Sequence, residues 1–103
     1  MLLRPEERRQ ARVLSQALFQ AEEAVRSGER DAGLLAASIE AHIRRAPLAV
    51  LNYVGVCHPG TLEPLREIAG KAVALVAASF GSTRLIDNVI LEPEAAVRGE
   101  GAG

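Results

Sequence analysis

The chain has 103 residues, 49% of them hydrophobic and 24% charged, a length and balance that suit one globular domain and exclude two. A formal net charge of −1 excludes the basic footprint of a nucleic-acid binder, and the scarce aromatics Phe19, Tyr53 and Phe80 offer no stacking platform for single strands. One cysteine, Cys57, excludes an internal disulfide, no apolar run reaches membrane-span length, and MLLRPEERRQ lacks the apolar centre of a signal peptide, so the cytoplasm is the expected compartment.

A first helix is predicted from about Pro5 to Ser27. Pro5 suits a first helical position, and Glu6 and Glu7 follow it where the helix dipole favours anions. Ala11, Leu14, Leu18, Ala21 and Val25 recur at spacings of three and four, a stripe that faces a core. Arg8, Arg12, Gln16, Glu22, Glu23 and Arg26 fall mostly off that stripe, and Gly28 is a natural stop. Arg8, Arg9 and Arg12 form a small basic cluster among carboxylates, read as a solvated helix face. A second helix is predicted from an N-cap at Asp31 to near Arg45, with Leu35, Ile39 and Ile43 on one face and Pro47 closing it.

Leu48 to Cys57 is rich in β-branched and aromatic residues and reads as a strand. His58 to Pro64, HPGTLEP, is turn chemistry. Ala72 to Phe80 is a wholly apolar strand, Gly81 and Ser82 read as a tight hairpin turn, and Thr83 to Leu91 is the third strand. The predicted fold class is therefore α+β: an αα-hairpin packed on a small, three-stranded, mainly antiparallel sheet. The domain is expected over residues 1–91, with 92–103 as a flexible tail. One sheet face stays partly open. For a strand as apolar as 72–80 this points to a missing partner, another domain or a second copy.

The chain is poor in chemistry. Cys57 and His58 are adjacent, so on a strand they point to opposite faces, and His42 is the only other histidine. No metal site and no Cys–His nucleophile is expected; Cys57 reads as a small hydrophobe at a strand end. Phosphate loops of the Gly-rich types are absent. What remains is TRLIDN, where Arg84, Asp87 and Asn88 interrupt an apolar strand. Leaving such groups buried and unpartnered costs about 2–7 kcal/mol for a neutral one and more for a charge. Either Asp87 or Asn88 caps a turn or helix end while Arg84 pairs with Glu63 or Glu67, or the three face a cleft belonging to a neighbouring domain.

LRPEERRQARVLSQAL, GERD, LNYVGVCHPGTLEPL and GKAVALVAASFGSTRLIDNVIL together resemble the C-terminal domain of the pantothenate synthetase (pantoate–β-alanine ligase) family, from about Leu3 to Leu91. PEER, the TLEPL that follows an x-Pro-x turn, and TRLIDN are specific in combination. The resemblance implies a chemistry lodged elsewhere. An N-terminal Rossmann-like nucleotide-binding domain would convert pantoate and ATP, with Mg²⁺, to pantoyl adenylate, which β-alanine then attacks to give pantothenate and AMP. The histidine pair and the Ser-Ser-Arg-Asn loop that stabilise phosphate charge in the family are not in this sequence. It implies no catalytic, cofactor-binding or metal-binding residue in this chain. It also implies that the fragment alone binds neither ATP nor Mg²⁺ and is inactive, with Arg84, Asp87 and Asn88 as cleft-facing or hinge candidates of a lid.

Departures from the family pattern are also visible. Arg4 stands where a capping serine is usual. Asn52, Gly55 and His58 stand where the pattern is acidic or Asp-Pro, so no role of those carboxylates in domain contact carries over, and Gly55 is expected to weaken its strand. Two other readings stand beside the lid: a binding or interaction module without catalytic activity, and a domain whose open face makes it a homo-oligomer.

Overall fold

The computed structural model describes residues 5–93, with side chains from Arg8 onward; Arg4 and residues 94–103 of the expected tail lie outside the described residues. Five elements follow in order: α1 (Pro5–Arg26), α2 (Ala32–Arg44), β1 (Ala49–Cys57), β2 (Ala72–Phe80) and β3 (Thr83–Leu91). They form the expected αα-hairpin over a three-stranded antiparallel sheet of order β1-β2-β3. α1 lies across β3 and β2, and α2 lies across β1.

α1 ends where the glycine allows. Gly28 takes φ +116°, a conformation that costs other residues a steric clash with Cβ. Its N–H reaches Val25 O at 3.1 Å, and Glu29 N–H reaches Ala24 O at 2.9 Å. This pair of bonds satisfies carbonyls that the last turn would otherwise leave open. Asp31 then caps α2, its Oδ1 accepting from Leu34 N at 3.1 Å. The turn between the helices is stitched to the loop after β1: Ala32 N donates to Arg66 O at 3.0 Å and Ile68 N to Arg30 O at 2.8 Å. Arg30 Nη1 closes the corner on the carbonyls of Val25 and Glu29.

The core sits between helices and sheet. α1 buries Leu14, Leu18, Ala21 and Val25 as its spacing predicts, with Ala17 added and Ala11 only half-buried. α2 buries Ala32, Leu35, Ile39 and Ile43. Beneath them Ala72, Ala74, Val76, Ala78 and Phe80 alternate along β2, as one face of a strand must. Three alanines in that row let the helices approach the sheet closely.

Some expectations shift. β1 begins at Ala49, and Leu48 is left 66% exposed in the turn after α2, where Ala49 N bonds back to Ala46 O. The register of β1 on β2 slips between Leu51 and Tyr53, so Asn52 is the extra residue of a bulge and the facing alternation resets after it. Beyond β3, Glu92 Oε2 lies 3.7 Å from Lys71 Nζ, and Pro93 is buried. Among the described residues no helix is long and apolar enough to cross a membrane.

Candidate functional site

The helices cover one face of the sheet only. The other face carries Val73, Leu75, Ala77 and Ser79 of β2, flanked by alternate residues of β1 and β3. Val50 is 61% exposed there, Tyr53 47%, Ile86 68% and Ile90 42%. These exposed apolar side chains alternate with Arg84 and Asn88 of β3 and flank Ser79 of β2, a mixed apolar and polar surface of the kind that can mark an interaction site.

The three candidate residues of β3 are not brought together. Arg84 stands opposite Ser79 and Asn88 opposite Leu75, both exposed on the open face with Ile86 between them. Asp87 stands opposite Val76 on the helix side, half-buried among Leu85 and Val89. Its Oδ1 accepts the N–H of Asn88 at 2.8 Å, so it bonds the adjoining backbone and caps no helix. Arg84 makes no ion pair with Glu63 or Glu67 among the described residues. Those carboxylates lie in the loop joining Cys57 to Ala72, at the other end of the sheet. Arg84 sits beside the Gly81–Ser82 turn, about 20 Å away at the rise of a strand.

Sequence reasoning missed how the departures at 52, 55 and 58 are used. Asn52 Oδ1 accepts from Ser79 Oγ at 2.8 Å, tying the bulge to β2. Gly55 is the seat of Tyr53, whose phenol lies along the strand; a Cβ at Gly55 would collide with the Tyr53 ring and hydroxyl. The ring reaches Cys57, with Oη 3.8 Å from Sγ, and Cys57 is 1% exposed. That hydrogen bond, with burial adding to it, holds the Tyr53 phenol above its ordinary range. Gly55 thus loses strand propensity and gains an aromatic cover. The expected result is specific: Gly55→Ala and Tyr53→Ala each expose Cys57, so the thiol reacts with a disulfide reagent at least about tenfold faster than in the parent. Unchanged reactivity in both would mean that Tyr53 does not shield it.

His58 takes the part that an aspartate takes in such a turn. Its Nδ1 accepts from Gly60 N at 3.0 Å and Thr61 N at 3.3 Å. Around it His58 N donates to Glu63 O and Leu62 N to His58 O, with Leu62 held at φ +62°, a strained choice for a residue with a side chain. His58→Asp keeps an acceptor and is expected to be within about 0.5 kcal/mol of the parent, whereas His58→Ala loses about 1 kcal/mol. Denaturant midpoints decide this; equal losses in both would remove the acceptor role.

At the end of the molecule where α1 begins and α2 stops, a groove of about 490 Å³ opens. Arg9, Gln10, Val13, Ala46, Pro47, Leu48 and Phe80 line it. Arg8, Arg9 and Arg12 stand in the first half of α1 and Arg44 and Arg45 at the end of α2, and of these Arg9 lines the groove; Arg84 stands on the open sheet face instead. All are exposed. Arg44 is held by Glu40 at 2.8 Å; the other five have no ion pair among the described residues. No group of three His, Cys, Asp or Glu that could hold a metal occurs among the described residues.

A helical hairpin on a three-stranded sheet is not by itself a function, and comparison with known proteins supplies the relationship. Residues 1–90 match the family model of pantoate–β-alanine ligase. The chain belongs to the pantoate–β-alanine ligase family. It is 47% identical over 90 residues to the pantothenate synthetase of Acetivibrio thermocellus, covering 87% of this chain and 32% of that one. It is 50% identical over 86 residues to that of Anaeromyxobacter dehalogenans, covering 84% and 29%. The crystal structure of pantothenate synthetase from Thermus thermophilus aligns with TM-score 0.76 at 34% identity, over 84% of this chain and 31% of that one. The chain therefore spans about a third of the length of these family members, and it matches their C-terminal part.

Proposed function

We propose that this chain acts as the C-terminal part of a pantoate–β-alanine ligase, covering a nucleotide-binding part that precedes it in the relatives. The observation that carries this reading is the breadth of the match. Both helices and all three strands fall within residues 1–90, or to within one residue of them, so the chain keeps a whole structural unit of the family. In this reading residues 1–91 are the lid, ATP and Mg²⁺ belong to the other part, and a pantoyl adenylate forms there before β-alanine attacks it. The lid supplies no nucleophile, metal ligand or phosphate loop. Its contribution is closure, which keeps water from a labile acyl adenylate and strengthens the electrostatics of the enclosed site. Arg84, Asp87 and Asn88 remain its candidate cleft or hinge residues, and Arg84 and Asn88 are the two free to meet a partner on the open face.

The test is reconstitution. The part of the Acetivibrio thermocellus enzyme that precedes the matching region is produced separately, checked for cooperative unfolding, and mixed with this chain, ATP, Mg²⁺, pantoate and β-alanine. AMP release well above that part alone is the expected result, with none from this chain by itself. No increase with both parts folded overturns the reading, and AMP release from this chain alone overturns its dependence on a partner.

A second reading has its own observation, the exposed apolar row of Val50, Tyr53, Ile86 and Ile90. In it the chain self-associates through the open face, as an interaction module without catalysis. Sedimentation showing a concentration-dependent dimer that Ile86→Asp abolishes, together with failed reconstitution, would favour it.

A further inference from the structure

We propose that the loop from His58 to Pro64 is a pH-sensitive latch, held closed by the neutral imidazole of His58 and opened when that ring takes up a proton. The closed form hangs on one atom. His58 Nδ1 accepts from Gly60 N at 3.0 Å and from Thr61 N at 3.3 Å. Only an unprotonated ring nitrogen has the lone pair for this. An imidazolium carries an N–H at both nitrogens, so the same position would set one donor against two others. Imidazole is the side chain whose charge ordinarily changes between about pH 5 and 8. His58 is exposed, so a proton reaches it without any opening of the core. The latch is a property of this loop and stands whether or not the chain covers a nucleotide-binding part.

Strain in the loop gives the latch something to release. His58 donates its N–H to Glu63 O at 2.9 Å, and its carbonyl accepts from Leu62 N at 2.7 Å. These bonds wrap the chain around the ring, and a Cβ added at Gly60 would stand 3.2 Å from the ring's Cε1. The wrap holds Leu62 at φ +62°, a conformation that residues with a side chain avoid. The Leu62 side chain is 55% exposed, so packing does little to offset that cost. Once the ring stops accepting, Leu62 is free to return to an ordinary backbone conformation. The opening is bounded, because Leu65 N donates to Val56 O at 2.9 Å and Ile68 N to Arg30 O at 2.8 Å, and neither bond uses His58. The charged and titratable groups on the segments packed against the loop are Tyr53 and Cys57 of β1, Glu63, Arg66, Glu67 and Lys71 along the loop and its continuation, and Glu29, Arg30 and Asp31 of the helix turn. Among the described residues none of them forms an ion pair with the ring, so no carboxylate is in place to hold the imidazolium where the neutral ring sits.

The test follows the ¹⁵N-labelled chain from about pH 8 to about pH 5. The Gly60 and Thr61 amide resonances are expected to move in one shared transition. Across it the hydrogen-exchange protection of the Leu62 amide, corrected for the intrinsic rate, is expected to fall at least about fivefold. In His58→Asn the side-chain oxygen accepts and does not titrate, and in His58→Asp the carboxylate stays ionised over this range. In both variants Leu62 is expected to keep its protection. Denaturant unfolding supplies a second readout. The neutral ring is the bonded form, so the stability it adds is present at the alkaline end of the range and is lost as the pH falls. The unfolding equilibrium constant of the parent, divided by that of His58→Asn, is therefore expected to rise about three- to fivefold over the same range. The division removes His42 and the carboxylates, which both proteins share. Unchanged Leu62 protection in the parent, an equal loss in His58→Asn, or a flat ratio of unfolding constants would each overturn the latch.

Discussion

Ile43→Ala is expected to destabilise the domain by about 2–5 kcal/mol, lowering the thermal midpoint by roughly 10 °C or more. Ile43 is 0% exposed in the last full turn of α2, where the hairpin closes over β1. Its removal leaves a cavity that neighbours anchored in both helices and the sheet cannot fill. The same substitution at Ile86, 68% exposed, is expected to change stability by less than about 0.5 kcal/mol. Chemical denaturation of the two variants in parallel makes the comparison. A large loss at Ile86 would mean that the open face is covered in solution, and so that the chain self-associates.

The second large effect comes from adding atoms. Ala78 is 0% exposed, between Leu51 of β1 and Leu85 of β3 on the helix side. Ala78→Leu has nowhere to go unless a helix lifts, and about 1–3 kcal/mol or more is expected to be lost. Ala77→Leu, one residue away and pointing to the open face, projects beside Tyr53 and Ile86 and is expected to cost less. Equal denaturant midpoints for the two would contradict the close approach of helices and sheet.

The elements were legible because local and tertiary preferences agree in them. Glycine at 28, aspartate at 31 and the Gly81–Ser82 pair each stand where one backbone geometry favours them, and the 3-4 spacing of Leu14, Leu18 and Val25 faces the core that forms. β2 was equally legible, its unbroken apolar run marking a strand covered on one face and flanked on both edges. The bulge at Asn52 was not, because an extra residue leaves no trace in periodicity when the residues around it are half-exposed. Gly55 and His58 looked like weakened positions because a sequence shows what a residue lacks before it shows what a neighbour does with the space. The spacing of Gly55 and Cys57 after Tyr53 is a signal that could have found that cover: on a strand, residues two and four apart share a face. The groove was illegible for a different reason: Arg9 and Val13, Ala46 to Leu48, and Phe80 are far apart in the chain, and only the packing of the helices on the sheet places them together.

The packing of α1 across β3 joins the first element to the last. A ribosome delivers α1 well before β3, so the apolar stripe of Leu14, Leu18 and Val25 has its full cover only when the final strand has emerged. Helices, hairpins and neighbouring strands can form as they appear, since each pairs with what lies next to it in the chain. The step that locks the unit is long-range and waits for β3. In a relative where two thirds of the polypeptide precedes this unit, the earlier part is already made when that step occurs. The order of birth then makes this C-terminal unit the last piece of such a relative to become rigid, and a truncation that removes β3 should leave α1 as an aggregation-prone helix.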